Sequence, residues 1–187
     1  SNNNNKNSFI KKTIMKCRIV LLAVLSMLLT SCAGFTTFQA YEGELRSDMQ
    51  VALLSGVQYL RQDIINRYID SVRFTSVDEI QVDNSREYNS VAVAPGFHDV
   101  TVYFYWDLGS QRGLAPALVS YASSRETLSR TLRFNARAGA NYTVHAQPVF
   151  AEEQKDITTM SHVDFWVEDD SGNEIVTRAE GRYIVSQ

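Results

Sequence analysis

Tyr88 to Trp106 reads Y-N-S-V-A-V-A-P-G-F-H-D-V-T-V-Y-F-Y-W, two runs of alternating apolar residues on either side of Pro95-Gly96. Proline presets φ near −65° and glycine tolerates positive φ, which are the demands of the two central positions of a type II turn. The stretch therefore predicts a β-hairpin, with strands over Tyr88 to Ala94 and Phe97 to Trp106. Side chains in a strand alternate between its two faces, so Val100, Val102, Phe104 and Trp106 share one face and Thr101, Tyr103 and Tyr105 the other. The first set is a core face. The second is amphipathic.

The same grammar extends in both directions. Leu128 to Ala136 alternates, Ala138-Gly139 turns the chain, and Tyr142 to Ala146 follows as its partner strand, closed by Pro148. Val163, Phe165 and Val167 alternate with Asp164, Trp166 and Glu168, and Asp169-Asp170-Ser171-Gly172-Asn173 is strong turn chemistry before Glu174 to Arg178. Upstream, Ile80-Gln81-Val82 is a short strand. Met49, Leu53, Val57, Leu60, Ile64 and Tyr68 recur at helical spacings with Ser47 and Asp48 as cap, which would make residues 48–68 a helix. Gly56 interrupts that pattern, and Val51 to Leu54 and Tyr68 to Phe74 are rich in residues that favour strands, so two strands are the preferred reading. Asp107 to Ser124 has two glycines, a proline and four serines and reads as a long loop with scope for binding. Short strands at regular spacing with turn residues between them predict an all-β domain, an antiparallel β-sandwich or open barrel of about seven to nine strands.

The front of the chain has a different character. Ile19 to Leu29 is I-V-L-L-A-V-L-S-M-L-L, preceded by Lys11, Lys12, Lys16 and Arg18 and ending in Leu29-Thr30-Ser31-Cys32. Eleven residues are too few for a bilayer core, which takes about 20; a basic, then apolar, then small-residue order describes a secretory signal peptide. The last four residues resemble the lipobox of bacterial lipoproteins. That resemblance implies that Leu29, Thr30 and Ser31 are read by the signal peptidase and that Cys32 becomes the lipid-bearing N-terminus. Two or more acyl chains anchor stably where one does not. Ala33, in place of Asp, implies sorting to the outer membrane, facing the periplasm. Residues 1–31 are then a leader, 32–40 a lipidated tether and 41–187 the β domain. Ser1 to Asn7 is polar and repetitive, and Met15 would serve as a start with residues 1–14 upstream of it.

Without the leader the chain keeps one cysteine, Cys32, occupied by lipid, so neither a disulfide nor a cysteine metal site is expected. The leader carries five of the 18 Lys and Arg and none of the 21 Asp and Glu, so the mature chain is acidic, near −8. That balance argues against nucleic acid and against electrostatic attachment to anionic lipid. The membrane contact expected is the lipid itself, and no other cofactor is expected.

Candidate chemistry is sparse. His98, His145 and His162 are never within five residues of one another, so zinc-motif spacing is absent; a metal-dependent hydrolase would need all three to converge. The 169–173 segment resembles a calcium loop only in composition, because the glutamate six residues past the glycine is missing. Tyr103, Tyr105 and Trp166, off the core parity, are candidates for an aromatic sheet face that holds cell-wall glycan.

Y-E-G at 41–43, V-A-L-L at 51–54, I-D-S-V at 69–72, A-P-G-F-H-D-V-T-V at 94–102, A-R-A-G-A-N-Y-T-V at 136–144 and F-W-V-E-D-D-S-G at 165–172 together resemble a group of small Gram-negative envelope lipoproteins. These motifs are turns joined to alternating strands and imply a fold without catalytic roles. Arg73-Phe74 departs from the Asp-Gly usual there. The expectation is a non-enzymatic envelope lipoprotein that binds a protein partner or glycan.

Overall fold

The computed structural model describes residues 36–62, 64–83, 88–107, 129–153, 155 and 159–185. Cys32 with its lipobox, and nearly all of the 107–124 loop, lie outside them. Among the described residues are eleven strands: β1 (Thr36–Ala40), β2 (Ala52–Gly56), β3 (Gln58–Gln62), β4 (Arg67–Val77), β5 (Ile80–Gln81), β6 (Tyr88–Val93), β7 (Gly96–Tyr105), β8 (Ser129–Ala136), β9 (Asn141–Phe150), β10 (Met160–Asp169) and β11 (Glu174–Ile184). They form two sheets, ordered β1-β6-β2-β9-β10-β11 and β3-β4-β7-β8, with β5 paired to β4. The all-β, sandwich-like class is as expected.

The core lies between the sheets and is built from the predicted parities. Val100, Val102, Phe104 and Trp106 are all buried, as are Leu132, Phe134 and Ala136 on β8 and Val163, Phe165 and Val167 on β10. Leu54, Val91, Val93 and Val144 join the β10 residues on the first sheet's side of the core. Burial of this apolar surface is the main drive for the two layers to associate, at roughly 25 cal/mol per Å².

Which strands neighbour each other differs from expectation at two places. Tyr88–Val93 and Gly96–Tyr105 are not a hairpin: β6 pairs with β1 and β2, while β7 pairs with β4 and β8 in the opposite sheet. Pro95-Gly96 is an arch that carries the chain across the core, with Gly96 at φ 138°, a region L side chains avoid. Ala138-Gly139 does the same between β8 and β9, which also lie in different sheets. Parity states which face of a strand is buried and is silent about whether its neighbour lies beside it or across the core. One result is that the first sheet is mixed, with β1 parallel to β6 and β2 parallel to β9, in place of the purely antiparallel sandwich expected. The second sheet is antiparallel throughout.

The segment expected to be tether includes β1, whose Ala40 is buried and whose Phe38 packs edge-on against Tyr88 at 5.3 Å. The strand count exceeds the expected seven to nine because short pieces such as β5 and the separated β2 and β3 are distinct elements. Residues 48–68 are indeed strands, after a single 3₁₀ turn at Asp48–Gln50 in which Gln50 Oε1 accepts from the Ser47 N–H (3.1 Å).

The predicted 169–173 turn is present and joins β10 to β11. Asp169 Oδ1 accepts from the backbone N–H of Ser171 (2.9 Å) and of Asn173 (3.0 Å). Those donations hold its carboxyl below the usual range, the Asn173 side chain contributing most.

Candidate functional site

One residue joins the two sheets. Val57 donates its N–H to Val144 O (3.0 Å) in the first sheet, and its carbonyl accepts from Val72 N–H (3.0 Å) in the second. Before it, Gly56 lies so close to β4 that a Cβ would stand 2.4 Å from Val72 O. At this joint β2 leaves the first sheet and continues as β3 in the second. Its old neighbour β9 runs on from His145 to Phe150 with β10 on one side and, among the described residues, no strand of its own sheet on the other.

The gap left by that departure is a cavity of about 460 Å³, lined among others by Tyr59, Arg61, Trp106, His145, Pro148, Phe150, Lys155 and Trp166. Tyr59 and Arg61 are two apart on β3 and so point to the same side. Tyr59 bridges the gap, its hydroxyl accepting from Ala146 N–H (3.2 Å). Burial pushes its phenol above the ordinary value, against the opposing effects of that N–H and Arg178.

Arg61 is held at several points. Its guanidinium donates to both carboxylate oxygens of Asp70 (3.0 Å from Nη2 to Oδ1) and to Asp107 O (2.6 Å), and Asp70 also accepts from Asp107 N–H (2.8 Å). The same plane lies over Trp106 at 4.0 Å and Tyr68 at 4.8 Å. Asp70 is only 3% exposed; a carboxylate at that depth is tolerable because it is paired and fully hydrogen-bonded.

On the outer rim, His145 stacks on Trp166 (4.8 Å, 8° between planes), its cross-strand partner. Arg178 from β11 lies over Trp166 at 3.8 Å, and Trp166 Nε1 donates to Glu168 (2.8 Å). His145 Nε2 lies 3.2 Å from Glu168 Oε2, off the geometry of a hydrogen bond, and is buried without another partner. Arg178 also donates to Gln147 Oε1 (2.8 Å).

The backbone of β9 adds a further property. Both polar groups of a strand residue point to the same edge, alternating along the chain. Val144 and Ala146 point to the cavity side, and so does Pro148, which has no N–H. The open edge thus offers carbonyls and lacks a donor at 148, which disfavours addition of a further strand.

The residues singled out in the sequence are scattered. Tyr103 and Tyr105 are on β7 in the second sheet and Trp166 is on β10 in the first, so they do not form one aromatic face; Tyr103 is itself buried. The faces of Trp166 are already covered by His145 and Arg178. His98 is at the start of β7, with Nδ1 2.7 Å from Asp78 Oδ2 and Nε2 2.6 Å from Ala94 O. His162 is on β10 beside Ser161 Oγ (2.9 Å), and its register with Val149 puts it four positions along from His145, about 13 Å. Among the described residues no three His, Cys, Asp or Glu side chains gather as metal ligands.

Sequence reasoning picked out His145 and Trp166 but missed Tyr59, Arg61, Asp70 and Trp106 as neighbours. The available signal was Arg61 on the parity of Tyr59, a charge on the inward side of a short strand. No protein-family model, curated protein or solved structure matches this chain.

Proposed function

We propose that this protein is a membrane-anchored, non-enzymatic binding module of the cell envelope, held by lipid on Cys32, whose cavity between β3 and β9 receives a projecting side chain or loop of a protein partner. The observation that carries it is the cavity itself: about 460 Å³, with Tyr59, Trp106, Phe150 and Trp166 in its lining and an Arg61–Asp70 pair in its wall. Apolar pockets with a few fixed polar groups are the usual anchor sites of interfaces. Two of its polar side chains are engaged in structural contacts: Arg61 is held by Asp70, Asp107 and two aromatic rings, and His145 is stacked against Trp166. That supports binding over catalysis. Covered tryptophan faces lend a glycan platform little support.

Two measurements test the reading. Replacing Cys32 with Ser should release the chain from the membrane fraction; continued normal maturation and sedimentation with the envelope would refute the anchor. A photo-reactive residue at 147, on the cavity rim, should capture one protein species in intact envelopes that the same residue at 133, on the second sheet, does not. Capture of cell-wall fragments at 147 would reassign the cavity to glycan.

A further inference from the structure

The β3–β4 hairpin ends in an apolar apex. Ile64 is 100% exposed and Ile65 87%, and behind them the cross-strand pair Leu60 and Ile69 is also exposed. After β7 ends at Tyr105, opposite Ser71, the chain still accompanies β4 as far as Asp107, whose carboxylate accepts from Ile69 N–H (2.9 Å). Among the described residues the hairpin projects past that point, and its apex is flanked in the sequence by Asp63 and Arg67.

Strand directions decide which way it projects. β1 runs parallel to β6, and β2 runs against β6, so Thr36 and Gly56 stand at the same end of the first sheet. β3 continues from Gly56 past that end, alongside β9, to which Tyr59 is bonded. The chain thus enters the fold at the end towards which the hairpin points. Cys32 precedes Thr36 by four residues, a span covalent geometry limits to about 14 Å.

We propose that the hairpin apex is a second membrane contact, with Ile64 and Ile65 entering shallowly the bilayer that holds the lipid on Cys32. The inference rests on the anchor reading. A stable protein interface takes about 800 Å² of matching surface per partner, more than an apex of four side chains offers. A bilayer accepts an exposed apolar tip without shape complementarity, and the neighbouring Arg67 suits the headgroup level and keeps the entry shallow. Two points of attachment would fix the orientation of the domain, with the β3–β9 cavity at the membrane-facing end.

The test uses the acylated full-length mature chain, in which the Cys32 sulfur carries the lipid as a thioether and an introduced cysteine is the sole free thiol. An environment-sensitive fluorophore is placed at Ile64→Cys or, as control, at Phe97→Cys, which is 68% exposed at the far end of β7. Each protein is reconstituted into phosphatidylcholine–phosphatidylethanolamine vesicles carrying a shallow nitroxide-lipid quencher. The expected result is quenching several-fold stronger at 64 than at 97. Equal, weak quenching with the protein floating on the vesicles overturns the proposal and leaves the anchor reading standing. Failure to float overturns both.

Discussion

Asp164 and Arg182 meet across β10 and β11 as a two-point pair, with Nε 2.6 Å from Oδ1 and Nη2 3.0 Å from Oδ2. The Arg182 guanidinium holds the Asp164 carboxyl below the usual carboxylate range, against the effect of burial. At Asp78 burial raises the pKa, but the Asp99 N–H (2.9 Å) and His98 outweigh it and the carboxyl is again lowered. A carboxylate whose folded pKa is depressed contributes stability that is present above its unfolded value near 4 and lost as pH falls through the folded value. Thermal melts should therefore show Tm declining as pH drops below about 4, and Asp164→Asn should flatten that decline while lowering Tm at neutral pH. Gly56 gives a second prediction at this scale. An alanine there places its Cβ against Val72 O at the joint between sheets, and overpacking of that kind costs about 1–3 kcal/mol; urea unfolding should report it, with unchanged far-UV circular dichroism.

Strands and turns were legible to different degrees. The 169–173 turn was read correctly because its chemistry is local: Asp169 bonds N–H groups two and four residues on, and Gly172 takes φ 76°. Asp169→Ala should lower Tm without altering the sheet signature. Pro95-Gly96 looked like the same kind of object and is an arch. A hairpin and an arch share proline, glycine and flanking alternation, and differ only in how far the chain rotates between the strands, which is set by what each strand then pairs with. Gly96→Ala should destabilise, because φ 138° is closed to a side chain, whereas Pro95→Ala should be mild. The helical spacing over 48–68 was a coincidence of strand residues interrupted by Gly56, as its position at a sheet corner explains.

At the scale of the whole molecule, the cavity depends on a strand changing sheets. The cavity exists because β2 departs at Val57 and β9 does not follow, and its wall is braced by Asp70, buried and bonded to Arg61 and Asp107. Asp70→Asn leaves a guanidinium without its counter-charge; for a buried carboxylate paired with a partly exposed arginine, the loss is about 2–4 kcal/mol, readable by chemical denaturation. Inward and outward faces, the all-β class and the polar turn could be read from residue order, because each depends on alternation or on bonds spanning a few positions. So could the expectation of a lipidated front, carried by the four residues Leu29-Thr30-Ser31-Cys32. Pairing between sheets, the meeting of Arg61 with Trp106 and of His145 with Trp166, and the shared end of Thr36 and the apolar hairpin required the folded chain. Those relations join residues tens of positions apart, and only the packing of two twisted layers decides which of many equally alternating strands become neighbours.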